Sequence, residues 1–207
     1  MDITLMHALG EAAGLAGGAL GTIMGIPQVI RIRKLGHSDG VSLLPWLLLC
    51  ITYSAWFTYG VKLLSPALII SNLLTYLVGA FVIIAIRGNK FSSYAIMGGI
   101  SAVTVLFVVT VPEVWVQALL VVMTFSRVPQ LLVSWKNRKR NHATAISLGS
   151  LLIALTGAML WMAYSILTEH PFFIVTTSLA IGLSLTTFLI EWRIASRAKL
   201  TLALANE

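Results

Sequence analysis

The sequence predicts an all-α integral membrane protein: seven transmembrane helices arranged as two parallel three-helix bundles joined by a linker helix. Three observations carry that prediction: a composition too apolar for water, charges that divide the chain into span-length runs, and an internal repeat. Of 207 residues, 58% are hydrophobic and 10% charged, with a mean hydropathy of +0.93. A soluble domain carries about 25% charged residues. No globule of this size could hide so much apolar side chain, so the bilayer is the solvent. Soluble enzymes, nucleic-acid binders and disulfide-stapled secreted modules are thereby excluded. The one cysteine, Cys50, lies in an apolar run and can form no internal bridge.

The apolar runs follow one another with little between them. Ala12 to Ile30 ends at Arg31, Arg33 and Lys34; Leu43 to Val61 ends at Lys62; Pro66 to Ile86 ends at Arg87. Phe91 to Val111 lies between Lys90 and Glu113, and Val114 to Trp135 contains the single charge Arg127. Ile146 to Thr168 ends at Glu169, and Pro171 to Ile190 ends at Glu191. Each is close to the roughly 20 residues that cross the hydrocarbon layer as a helix. Lipid offers no partners to backbone polar groups, so each run must satisfy its own and be helical.

Basic residues then give the expected orientation. Arg31, Arg33, Lys34, Arg87, Lys90, Lys136, Arg138, Lys139, Arg140, Arg193, Arg197 and Lys199 all fall on one side, twelve of the 14 Lys and Arg. The positive-inside rule places that side in the cytosol, the amino terminus outside and the carboxyl terminus inside, with the plasma (cytoplasmic) membrane as the expected location. Asp2 and Glu11 stand where a signal peptide would need positive charge. The +7 net charge is thus read as a topology signal, with membrane lipid as a partner and nucleic acid not one.

Self-comparison exposes the repeat. Gly25-Ile26-Pro27-Gln28-Val29, a basic loop and Gly40-Val41-Ser42-Leu43 are answered by Arg127-Val128-Pro129-Gln130-Leu131, a basic loop and Ala145-Ile146-Ser147-Leu148. Trp56-Phe57-Thr58-Tyr59 is answered by Trp161-Met162-Ala163-Tyr164, and Pro66 by Pro171. Pro27 and Pro129 are 102 positions apart; from Trp56 and Trp161 onward the spacing is 105, because the second loop is longer. Both Pro-Gln pairs precede positive loops, so both triplets run the same way. An extra crossing must restore the direction between them, and Phe91 to Val111 supplies it. The expected units are 1–88, a linker 89–112, and 113–207 with a basic cytosolic tail. Parallel repeats of this kind occur among transporters.

Several side chains are candidates for function. Pro27 and Pro129, each followed by Gln (Gln28, Gln130), lie inside spans near the basic end, where proline frees a carbonyl and bends the helix. Pro45 adds a third at a similar level. Gly14, Gly18, Gly21 and Gly25, with Gly17 beside them, form a smooth stripe suited to close helix approach. Trp56 and Trp161 lie deep in their spans; Tyr59 and Tyr164 lie nearer the outer edge, as belt or gate. Asn72 is an amide in hydrocarbon that must face the bundle interior, either bonding a neighbouring helix or a polar solute. Its counterpart is Thr177. Arg127 either reaches for the surface or faces a pathway and favours a carboxylate or phosphate. No mid-span Asp or Glu offers a proton relay, and no nucleophile triad, metal set or phosphate loop is present, so neither catalysis, metal nor cofactor is expected.

Two Pro-Gln pairs in a seven-span chain, with Trp56-x-x-Tyr59-Gly60 followed by Asn72, resemble the PQ-loop family, most closely its SWEET and SemiSWEET sugar-transporter branch. The resemblance covers almost the whole chain. It implies that Trp56 and Asn72 bind solute at mid-membrane, that Trp161 and Thr177 are their partners, and that Pro27, Pro45 and Pro129 are hinges. It departs from the family pattern at Thr177 for Asn, Ser165 for Gly and Ser150 for the fourth proline. The expected function is alternating-access transport of a small polar solute, a mono- or disaccharide, by facilitated diffusion. An amino acid or small carboxylate held by Arg127 and a non-transporting receptor of the same fold are the alternatives, and the chain is compatible with a homo-oligomer.

Overall fold

A computed structural model describes residues 2–35, Ser38, 43–139 and 147–205, with the side chains of 28, 31, 35, 199, 200 and 202–205 excepted. The segments Gly40-Val41-Ser42 and Ala145-Ile146, Arg140, and the side chains of Gln28, Arg31 and Lys199 therefore lie outside the described residues. The helices are α1 (Ile3–Leu35), α2 (Leu43–Leu63), α3 (Pro66–Arg87), α4 (Phe91–Thr110), α5 (Glu113–Thr124), α6 (Val128–Asn137), α7 (Leu148–Leu167) and α8 (Pro171–Ala205). A 3-10 turn, Phe125–Arg127, joins α5 to α6, so together they form one span. Among the described residues seven helices are long and apolar enough to cross a membrane and no strand is present, and the protein is a multi-pass membrane protein.

Local sequence explains where helices begin and break. Ser65 caps α3, its Oγ accepting the Leu68 N–H at 3.3 Å, and Pro66 follows in the first turn, where its missing N–H costs nothing. Ser147 caps α7 in the same way through the Ser150 N–H. Pro129 has no N–H for the Phe125 carbonyl, and the fifth span tightens into its 3-10 turn there. Pro27 lies inside an unbroken α1. Pro45 lies in the first turn of α2, where no intrahelical bond is lost. The basic tail is not a loose end: α8 runs on through Arg193 and Arg197, with no Gly or Pro after Gly182 to stop it.

The two helix hairpins are built alike. After α2, Leu64 takes a left-handed φ of 54°, and the Ser65 N–H returns to the Gly60 carbonyl. After α7, Glu169 takes a φ of 56°, and the His170 N–H returns to the Ser165 carbonyl. These positions match at the 105-residue spacing.

In the first trio α3 packs against both α1 and α2; in the second, α8 packs against both α5–α6 and α7. Pairings along the helices give their directions. Glu11 meets Ala67 and Thr22 meets Thr75, so α1 and α3 are parallel. Gly10 faces Thr168 and Gly17 faces Gly157, so α7 runs against α1. Arg127 meets Ser184 and Arg138 meets Arg197, so the fifth span is parallel to α8. Since α8 opposes α7, α1 and the fifth span point the same way and the trios are parallel. The intervening α4 packs chiefly on α2, through Ser54–Ser101 at 3.1 Å and Lys62 Nζ to the Val108 carbonyl at 3.1 Å.

Candidate functional site

A cavity of about 520 Å³ lies between the trios, lined from α1, α2, α3, the fifth span, α7 and α8. Among the described residues none from α4 lines it. Its volume falls within the roughly 300–1,000 Å³ of small-molecule sites.

The end nearer the start of α1 is plugged by rings. Trp56 stacks on Phe172 at 6.2 Å between centroids and lies 5.6 Å from Phe173; Tyr59 meets both phenylalanines edge-on, and Tyr164 is 5.7 Å from Phe173. Trp161 meets Tyr164 at 5.3 Å and lies against the faces of Gly14 and Gly17, where a Cβ would crowd it. Polar fastenings reinforce this plug. Tyr59 Oη donates to Glu113 Oε1 at 2.7 Å, and Gln117 Nε2 donates to the same oxygen at 2.9 Å. Across the molecule Tyr164 Oη donates to Ser65 Oγ at 2.9 Å, and Glu11 Oε2 accepts the Ala67 N–H at 2.6 Å, at the positive end of α3.

Below the rings two helices offer a matched polar face. Leu68, Ser71, Asn72 and Thr75 line the cavity from α3; Phe173, Thr176, Thr177 and Ala180 line it from α8 at the 105-residue spacing. Asn72 is buried, and one of its amide N–H groups donates to the Leu68 carbonyl at 2.7 Å. An amide has a second N–H and an accepting oxygen to offer beyond that bond. Thr177 is different: its one hydrogen goes to the Phe173 carbonyl at 2.6 Å, so toward the cavity its hydroxyl accepts. Further toward the basic end the lining reaches Thr52, Tyr53, Trp46, Gly79 and Arg127. Arg127 Nη1 lies 3.5 Å from Ser184 Oγ, a long contact.

All five residues expected to meet solute, Trp56, Asn72, Trp161, Thr177 and Arg127, thus line one cavity, and Tyr164 joins them. Pro27, Pro45, Pro129, Gln130 and Tyr59 are not in its lining; Gln130 instead bonds Ser134 of its own helix at 3.4 Å. Gly14, Gly18 and Gly25 face Ala67, Ser71 and Val78 of α3 in one register, as a single stripe would; Gly14 also meets Tyr164 of α7, Gly17 beside it faces α7, and Gly21 opens into the cavity. Sequence reasoning passed over Ser71, Thr75 and Thr176. Ser71 and Thr176 directly precede Asn72 and Thr177, and Thr75 lies three residues after Asn72 and four after Ser71, so Thr75 at least was legible as sharing their helix face. Among the described residues no three His, Cys, Asp or Glu side chains gather as a metal site would require.

The second trio carries a family signature. Residues 118–174 match the model of the PQ loop repeat. The PQ loop repeat match runs from α5 through Pro129-Gln130 and all of α7 into the first turn of α8, and so contains Arg127 and Trp161 of the cavity. No curated protein matches the chain.

Proposed function

We propose that this protein is a PQ-loop family carrier that moves a small polar solute by alternating access, with units 1–88 and 113–207 rocking about the linker 89–112. The observation that carries the reading is the buried Asn72 amide beside Trp56 and Trp161 in a cavity walled by both trios. Two indole faces suit the apolar faces of a sugar ring, and an amide with Ser and Thr hydroxyls suits its hydroxyl groups, so the solute is hydroxylated and of saccharide size. The PQ loop repeat match and seven spanning helices support a transporter-like protein.

The fastenings between the trios fall in the half of the bundle nearer the start of α1, and the cavity lining continues toward the basic end. With the basic end in the cytosol of a plasma membrane, this conformation is open inward. Pro129, at its 3-10 turn, is the hinge with a visible backbone break; Pro27 and Pro45 would bend only in another state. Transport is facilitated diffusion, driven by the solute's own electrochemical gradient. Asn72→Ala is expected to abolish saturable counterflow in proteoliposomes while leaving the melting temperature in detergent within a few degrees. Undiminished counterflow would remove Asn72 from the site.

A further inference from the structure

Arg127 is the one charged residue in the cavity lining among the described residues. It lies fourteen residues after Glu113 and nine before Lys136, about 21 Å and 14 Å along a helical path, so it stands close to the middle of its span. The nearer end is farther away than an extended arginine side chain reaches, which rules out simple snorkelling. A cation at this depth is costly and normally pairs with an anion. Here its contact is a neutral hydroxyl, Ser184 Oγ at 3.5 Å, which balances no charge.

Resting on the carrier reading above, we propose that the transported solute is a small organic monocarboxylate with a hydroxylated body, and that Arg127 receives its carboxylate. A guanidinium offers a planar fork of donors that fits a carboxylate bidentately. Its position relative to the rings sets the pose. Thr177, the counterpart of Asn72, and Ser184, the contact of Arg127, are seven residues apart on α8, about 10.5 Å. The body therefore lies between Trp56 and Trp161 against Asn72, with the carboxylate directed toward the basic end. The asymmetry belongs to the site itself: at the position equivalent to Arg127 the first trio has Gly25, whose face is filled by Val78. One solute thus meets one cation, in one orientation. Each translocation then carries charge, and flux responds to membrane potential as well as to the concentration gradient.

The test uses two matched pairs, glucose with glucuronate and lactamide with lactate, in net uptake into solute-free proteoliposomes clamped at opposite potentials. The wild-type protein is expected to favour the anionic member of at least one pair by tenfold or more, with inside-positive potential accelerating its uptake. Arg127→Gln should remove that preference, and Arg127→Lys should restore part of it. Saturable uptake of glucose or lactamide with their anions excluded, unchanged in Arg127→Gln, would overturn the charge assignment and leave the carrier reading standing. Absence of saturable uptake of all four by a protein that melts cooperatively would overturn both.

Discussion

Along the seam between α1 and α7, Gly10, Gly14 and Gly17 let the backbones close until an added Cβ would touch Thr168, Tyr164 and the Gly157 carbonyl. Along the equivalent seam, between the fifth span and α2, the same positions hold Pro112, Val116 and Leu119, and far fewer residues meet. Both seams end at the same depth, Leu20 near Gly157 on one side and Thr52 beside Met123 on the other. One is closed by surface fit. The other is closed by buried Val116 and Leu120 at its upper part and by the Tyr59–Glu113–Gln117 bonds at its edge. The difference shows that a repeated topology does not impose repeated chemistry. The first trio supplies a smooth wall and the amide Asn72; the second supplies the broken helix, the large rings Phe172 and Phe173, and the cation.

The largest expected effect comes from filling the glycine seam. In Gly17→Val the new Cβ would stand 3.1 Å from the Gly157 carbonyl and 3.1 Å from Trp161, with a backbone atom that cannot step aside. Overpacking of this kind costs about 1–3 kcal/mol, and a β-branched side chain on a backbone contact belongs at the upper end. Gly21→Ala is the control, because its Cβ would meet nothing within 4 Å; the helix gains up to about 1 kcal/mol of propensity. Thermal melting in detergent should separate the two variants in sign. Equal melting temperatures would mean that α1 does not pack on α7 through its glycine face.

The polar fastenings come next. Tyr59→Phe removes a hydrogen bond to a carboxylate, worth about 1.5–3 kcal/mol when desolvated and less at a partly exposed oxygen such as that of Glu113. Tyr164→Phe removes a neutral bond to Ser65, whose Oγ keeps the Leu68 N–H, at about 0.5–1.5 kcal/mol. Both variants loosen the plugged end, so a cysteine placed in the cavity should become more reactive to a reagent added from that side. A change confined to melting temperature, with no gain in reactivity, would make these bonds structural and not part of a gate.

These contrasts also mark what could be read from the chain alone. The seven spans were legible because charges fall between apolar runs, and the parallel trios because Pro27-Gln28 and Pro129-Gln130 both precede basic loops. Asn72 was legible because an amide in hydrocarbon must turn inward. The glycine stripe was legible as one face, and Gly14, Gly18 and Gly25 keep to it; that it meets α3, while Gly17 beside it meets α7, depends on packing that no local pattern names. The direction of the Arg127 side chain was hidden as well: its depth can be counted from Glu113 and Lys136, but only the packing puts it in the lining of the cavity. Glu11 and Glu113 are 102 positions apart and could have been paired, but their partners Ala67 and Tyr59 come from other helices and depend on the packing.

The smallest expected effect probes a place where the halves agree. Leu64 and Glu169 both hold a left-handed backbone, with φ of 54° and 56°, at the turns that close the two hairpins. That conformation costs an L-residue roughly 1–2 kcal/mol, while glycine adopts it freely at an entropic cost of roughly 0.5–1 kcal/mol. Leu64 is 82% exposed and loses little packing on removal of its side chain. Leu64→Gly and Glu169→Gly should therefore each stabilise the protein by up to about 1 kcal/mol, and by similar amounts. Similar shifts in melting temperature would mean that the turn geometry is a property of the repeat, set by backbone alone. Unequal shifts would place the asymmetry of the seams in the hairpins as well, and a loss in either variant would remove the strain argument for that turn.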